Sequence, residues 1–347
     1  MADIEKETPL ESIDPRFLLT FQEEPHRSRR MEIIAKHPEV TKLNGPEPKT
    51  KWIVLGVCTL QITCAILLRN TSLKSPIYWL TAYFIGATCV SNLFLAIHEF
   101  SHNLGFKDPI WNRLFACVAN LPVGIPYSAS FGPYHNLHHK RMGEDGYDTD
   151  LPTQLEALFL SSIAGKSFFA TFQLFFYALR PMFLYQIPFT WVHYANIAIQ
   201  FVFNRWLIKH FGWGAYFYLL ISAFLSGSLH PIAAHFIAEH YILHTPEKRS
   251  PDIQYPETFS YYGWLNIFVY NAGYHSEHHD FPYIAWSRLP ELREIAKEFY
   301  DPLPYHTSWP KVTFDFILDD NITLWNRVKR PTSLKQRQSL LHAMEKS

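Results

Sequence analysis

Charge falls along this chain in blocks, and the gaps between blocks are long enough to cross a bilayer. No Asp, Glu, Lys or Arg occurs in 52–68 (WIVLGVCTLQITCAILL), 75–97 (SPIYWLTAYFIGATCVSNLFLAI), 181–204 or 211–229. A helix rises about 1.5 Å per residue through a hydrocarbon core about 30 Å thick, so about 20 apolar residues make one crossing. The pattern predicts an all-α integral membrane fold with four transmembrane helices in two hairpins. The first pairs 52–68 with 77–97 across a tight turn at Arg69–Lys74. The second pairs 183–204 with 211–229 and turns at Arg205–His210.

The intervening segments read as interfacial. Residues 111–131 are apolar, but Pro122, Gly124 and Pro126 break their helical pattern. Irregular backbone in hydrocarbon must be shielded by protein, so this stretch lies at the interface or dips into it. Residues 167–180 are aromatic-rich and read as an amphipathic helix on the membrane surface. Residues 1–25 are polar and expected to be mobile in part. Between Arg27 and Lys51 there are seven Lys and Arg residues next to the first span, which places the N-terminus on the cytoplasmic side. Three regions result: a cytosolic N-terminal region, 1–51; a membrane domain, 52–300; and a compact cytosolic C-terminal tail, 301–347.

Composition adds exclusions. Net charge is zero, so there is no electrostatic footprint for nucleic acid. The mean hydropathy of -0.08 looks soluble only because charged blocks average against the apolar runs. Cys58, Cys64, Cys89 and Cys117 sit inside apolar runs without CxxC spacing and read as buried thiols. The polar, acidic start shows no cleavable signal peptide, so insertion would rely on the first span.

Histidine supplies the candidate chemistry. His98-Glu-Phe-Ser-His102 follows the second span, His135-Asn-Leu-His138-His139 comes next, and His275-Ser-Glu-His278-His279 follows the second hairpin. Positions i, i+3 and i+4 of a helix share a face, so each cluster can aim two or three imidazoles at one point. An even number of crossings brings all three clusters to the cytoplasmic face as a histidine-rich cap. Neutral imidazole suits Fe, Zn, Cu and Ni, whereas Mg and Ca prefer oxygen. Eight histidines exceed what one four-coordinate zinc uses, so a di-metal centre is the economical reading. Neighbours such as His138 and His139 lie about 100° apart around a helix, so one can face each metal. Two redox-active irons bound mainly by nitrogen would activate O₂, and the membrane setting implies a lipid substrate.

HEFSH, HNLHH and HSEHH, arranged around two hairpins, resemble the three histidine boxes of the membrane di-iron fatty-acyl desaturase and hydroxylase superfamily. EEPHRSRRMEIIAKHPEVTKLNGP near the N-terminus, HFIAEHY at 235–241 and NAGYHSEHHDFP at 271–282 are similar to the sphingolipid delta(4)-desaturases, over about residues 15–330. The resemblance implies His98, His102, His135, His138, His139, His275, His278 and His279 as iron ligands and catalytic residues. It also implies a ninth histidine and in some relatives an Asn acting through water. His235 is the preferred ninth ligand, His240 and Glu239 are alternatives, and Asn271 is the candidate Asn. Glu99, Glu144, Asp145, Asp148, Glu277 and Asp280 are candidate acceptors for imidazole N–H groups. The implied reaction takes hydrogens from C4 and C5 of dihydroceramide to give ceramide with a 4,5-trans double bond, using O₂ and two electrons. No fused haem signature His-Pro-Gly-Gly is present. Electrons would therefore come from NAD(P)H through a separate cytochrome b5 and its reductase, at the endoplasmic reticulum membrane with both termini cytosolic.

Other readings compete. HEFSH also satisfies HExxH, the zinc protease pattern with Glu99 as general base, but that leaves six box histidines without a role. A metal transporter would hold its site near the midplane on broken helices, whereas these clusters lie at one face. C4-hydroxylation to phytoceramide needs the same oxidant, and ligand spacing does not separate it from desaturation. His193, His210, His230 and His244 read as hydrogen-bonded helix or interface histidines. His26, His37, His306 and His342 sit in polar segments and read as surface.

Overall fold

The computed structural model describes residues 13–244, 249–332 and 337–338. The first half of the polar 1–25 segment, the end of the C-terminal tail and His342 lie outside them. Within them the chain is mostly helical, with two short two-stranded parallel sheets that tie distant segments together. Leu18–Leu19 pairs with Val328–Lys329, and Ser260–Tyr261 pairs with Tyr305–His306.

Helix α1, Pro25–Lys36, starts where the Glu24 carboxylate accepts the backbone N–H groups of His26 and Arg27, with Pro25 in the first turn where no donor is needed. Helix α2, Lys49–Leu67, and helix α3, Pro76–Ser101, form the first hairpin and are long and apolar enough to cross a membrane. Trp52, Leu60, Leu67, Trp79 and Phe84 are exposed on them, as lipid-facing side chains would be. Inside α3 the segment Thr81–Ala87 widens to a π-helix. Gly86 lies there so close to the Ser222 side chain that a Cβ would overlap it.

Helix α4, Pro109–Asn120, continues through a 3₁₀ turn to Val123, and helix α5, Ser128–Lys140, follows after a bend of 116°. The break falls at the expected Pro/Gly stretch, where Gly124 takes φ +83°. Helix α6, Ile163–Leu184, runs longer than the aromatic segment predicts. Helix α7, Trp191–Phe211, supplies what the break needs. Its Asn196, Gln200 and Asn204 share one face at i, i+4 and i+8. Asn204 donates to the Gly124 carbonyl at 2.9 Å, Gln200 to the Leu121 carbonyl at 3.1 Å, and Asn196 to Asn120 Oδ1 at 3.2 Å. Asn120 Oδ1 in turn accepts the N–H groups of Tyr127 and Ser128. The irregular backbone is thereby satisfied from within the protein.

The second hairpin corrects the expected boundaries. Residues 183–190 do not begin it, since α6 runs to Leu184 and an extended link precedes Trp191. Nor does it turn at Arg205–His210, which lies inside α7. The turn is Gly212, at φ +83°, between α7 and helix α8, Trp213–Ser226. Lys209 occupies the last turn of α7, where a cation complements the helix carbonyls. A Cβ on Gly214 would overlap the Arg69 carbonyl, so glycine permits the two hairpin turns to touch.

The region around the third histidine cluster is built from shorter pieces: helix α9, His275–Asp280; helix α10, Leu289–Ile295; and helix α11, Trp309–Leu318. Trp309 is fully buried and stacks on Tyr261 at 4.1 Å, and Phe316 packs on Phe169 and Tyr241. These contacts bind the C-terminal helix to the core that carries the histidines.

Candidate metal centre

The three boxes meet. His98 and His102 occupy successive turns at the end of α3, which closes at Asn103 in the left-handed region, φ +60°. His135, His138 and His139 lie in the last turns of α5. His275, His278 and His279 make up half of the six-residue α9. Ahead of α9, Tyr270 and Asn271 both take positive φ, +53° and +49°, an uncommon pair of left-handed non-glycine residues at the entry to the site.

The imidazoles sort into two sets. Ligand nitrogens of His98, His102, His135, His139 and His278 lie within 4.8 Å of one another, and so do those of His138, His240 and His279. In the first set the Nε2 atoms of His102 and His135 are 2.9 Å apart, those of His135 and His139 3.0 Å, and those of His139 and His278 3.2 Å. In the second, His240 Nε2 is 3.1 Å from His138 Nε2 and 3.0 Å from His275 Nε2, which adds His275. His139 and His279 stack across the boundary with ring centroids 4.2 Å apart.

Partners behind the rings determine which nitrogens face inward. His240 Nδ1–H donates to the Glu257 carbonyl at 3.0 Å. A carbonyl only accepts, so Nε2 of neutral His240 is a bare lone pair. His138 Nδ1 meets the fully buried Asp148 carboxylate at 2.9 Å. Burial works against the charge on Asp148, but His138, Arg327 and the Gly143 N–H hold its carboxyl well below the usual range. Glu239 stands 3.3 Å from His235 Nδ1 and 3.7 Å from His275 Nδ1. Burial pushes His102, His240, His275, His278 and His279 well below the ordinary imidazole value, and their histidine neighbours push in the same direction.

This donor set fits metal ions. One bare lone pair on His240 faces two other imidazole nitrogens at about 3 Å, a contact it can satisfy for at most one of them as acceptor. His279 Nε2 is buried with no hydrogen-bond partner. Cations between the nitrogens would satisfy them all, and neutral imidazoles are the form that binds them.

All eight box histidines are thus brought together. The preferred ninth, His235, is not: its Nδ1 faces Glu239 and it belongs to neither set, because its ring packs on Phe236 and Phe94 instead. The His240 ring lies among the box imidazoles instead, in the second set. Asn271 donates from Nδ2 to the Trp286 carbonyl at 3.1 Å. Of the candidate carboxylates, Asp148 meets a box imidazole at hydrogen-bond distance. Glu277 accepts from Ser260 and Tyr262, Asp145 pairs with Lys329, Glu144 with Arg141, and Glu99 accepts the Trp286 N–H. His26 is not a surface residue: it is 4% exposed and its Nδ1 lies 2.6 Å from Asp280, next to box three. Its polar sequence neighbours concealed this. The one available signal was its place in the N-terminal block that resembles the delta(4)-desaturases.

Two family models match the chain: Fatty acid desaturase over residues 74–309, and Sphingolipid Delta4-desaturase over residues 16–49. Among curated proteins, the chain is 55% identical to a sphingolipid delta(4)-desaturase of Schizosaccharomyces pombe, with 91% of this chain and 88% of that protein covered. It is 56% identical to one from Candida albicans, covering 90% and 88%, and 42% identical to one from Drosophila melanogaster, covering 90% and 95%. Similarity at this level along nearly the whole chain means that it belongs to the fatty acid desaturase family, on the branch of the sphingolipid delta(4)-desaturases.

Proposed function

We propose that this enzyme is an O₂-dependent oxidoreductase that desaturates dihydroceramide between C4 and C5 of the sphingoid base, giving ceramide with a 4,5-trans double bond. The observation that carries the reading is the convergence of nine imidazoles into two adjacent sets. We assign His98, His102, His135, His139 and His278 to one iron and His138, His240, His275 and His279 to the other. Bound there, two irons supply the oxidising power to break unactivated C–H bonds. The balance is one dihydroceramide, one O₂, two electrons and two protons to one ceramide and two waters. Burial favours the neutral form of His102, His135, His139, His240, His275, His278 and His279, and Asp148, the Glu257 carbonyl and Glu239 stand behind His138, His240 and His275. An alkyl chain offers no polar handle at C4 and C5, so position along the chain must be set by anchoring the head group.

The setting follows the same reading. Helices α2 and α3, the two described helices long and apolar enough to cross a membrane, and the hairpin of α7 with the 14-residue α8 return the chain to one face, with 1–51 and 301–347 cytosolic and the histidine cap on the cytosolic face of the endoplasmic reticulum. Electrons reach it from NAD(P)H through cytochrome b5 and its reductase. The zinc protease alternative is disfavoured by Glu99, which is buried and engaged with the Trp286 N–H.

The test supplies purified protein with dihydroceramide, NADH, cytochrome b5 and its reductase and weighs the products. A product two hydrogens lighter is expected. One oxygen heavier would make the enzyme a C4-hydroxylase, and unchanged substrate would contradict both.

A further inference from the structure

Box three is carried differently from the other two. Boxes one and two end helices of 26 and 13 residues, whereas α9 has six residues and no side-chain cap. A helix that short does not hold itself in water, so its orientation must come from tertiary contacts. Helix α1 supplies them at Asp280, the residue after His279. Arg29 forks onto the fully buried carboxylate, Nε to Oδ2 at 2.7 Å and Nη2 to Oδ1 at 2.8 Å. His26 Nδ1 lies 2.6 Å from Oδ1, and since a carboxylate only accepts, that nitrogen carries the proton. The His26 ring also lies against the His279 ring, centroids 5.0 Å apart. Its Nε2 reaches Thr258 Oγ1 at 3.4 Å, and Thr258 Oγ1 is 3.0 Å from Ser276 Oγ, so α1 also touches the start of α9 through one residue.

The same block wraps the chain beyond α9. Ile33, Val40 and Leu43 share a core with Phe281, Ile284 and Leu292, and Arg288 donates from Nε to the Leu43 carbonyl at 2.7 Å. The part of the chain matched by the Sphingolipid Delta4-desaturase model, 16–49, therefore covers the residues that grip box three.

We infer that His26 and Arg29 are positioning residues of the metal centre, which act through Asp280 to fix the short helix that carries His275, His278 and His279. The inference rests on the di-iron reading above. Loss of support behind a metal ligand lowers metal affinity by about 10–100-fold, and a bidentate guanidinium–carboxylate pair is not replaced by a lysine point charge.

The test compares full-length wild type with Arg29→Ala, His26→Ala, Arg29→Lys and Asp280→Asn, each reconstituted anaerobically with Fe(II). Two quantities are read: the rate of iron loss to a chelator, and amide hydrogen exchange of 275–280 in the metal-free protein. Arg29→Ala, His26→Ala and Asp280→Asn are expected to lose iron about 10-fold faster or more, with Arg29→Lys in between. Arg29→Ala combined with Asp280→Asn should be no worse than the worse single variant. Exchange should rise in 275–280 and stay unchanged in α2. Arg16→Ala, which removes the pair of exposed Arg16 with Asp14 and no contact to Asp280, should leave both readouts at wild type. Wild-type iron retention and exchange in the Arg29 and Asp280 variants would overturn the inference. If Arg29→Ala does not fold, the milder Arg29→Lys decides by the same criteria. A wild type that binds no iron would instead sink the di-iron reading, while the exchange measurement still decides whether α1 holds α9.

Discussion

The two histidine sets achieve one kind of geometry by different means. In the first set, four of the five imidazoles ride in pairs, His98 with His102 on α3 and His135 with His139 on α5. Helix periodicity alone puts each pair on one face, and little is needed behind them: the carboxylate beside His98, Glu99, stands 3.8 Å away. The second set draws His138 from α5, His240 from the segment after α8, and His275 and His279 from the six-residue α9. There Asp148, the Glu257 carbonyl and Glu239 stand behind the imidazoles. Regular helices aim ligands by spacing, whereas ligands gathered from separate segments depend on what holds each from outside.

The largest effects should come from the ligands themselves. His138→Ala and His278→Ala should each abolish product while membrane insertion persists, the first emptying mainly the second set and the second mainly the first. His240→Ala should match His138→Ala, and His235→Ala should retain both metals; metal analysis of the four purified variants checks all of this. The reverse order for His235 and His240 would break the division into sets.

A smaller effect should fall on the support. Asp148→Asn should weaken metal retention in the second set by about 10–100-fold, measured by chelator competition. Glu99→Gln, which keeps an acceptor for the Trp286 N–H, should leave the first set near wild type. Equal losses in both would remove the contrast.

This difference also explains what the sequence shows. HxxxH and HxxHH spacings are helix geometry written in residues, so the eight box histidines could be named in advance. His235 and His240 in HFIAEHY look equivalent, because what separates them is the Glu257 carbonyl, a backbone atom 17 residues away from His240. His26 was hidden for a related reason, since Asp280, which it meets, lies 254 residues away. In the membrane part, chargeless runs marked the hairpins. The charged residues Arg205 and Lys209 look like a loop, but Arg205 lies inside α7 and Lys209 in its last turn, while Gly212 makes the turn. The polar stripe Asn196, Gln200 and Asn204 had no visible purpose until the break at Gly124 lay beside it.

The smallest effect separates the centre from His306, which is not the surface residue its polar neighbours suggest but partly buried, with its Nε2 enclosed. Burial holds His306, which belongs to neither set, down to about 4. Its unfolded value is about 6.5, so this neutral ring contributes stability above that pH, and the contribution is lost as pH falls from about 6.5 through about 4. The full difference is about 3 kcal/mol. His306→Phe should therefore flatten part of the acid limb of the metal-free protein's thermal midpoint without changing metal retention at pH 7. An unchanged acid limb would show that His306 does not carry that share.

The central claim is that nine histidines in two sets hold two irons. Iron bound per chain, measured on full-length protein reconstituted anaerobically with Fe(II), tests it most directly. Two irons in the wild type, falling in His240→Ala but not in His235→Ala, is the expected result. A single metal per chain in the wild type, or two irons retained without His240, would contradict it.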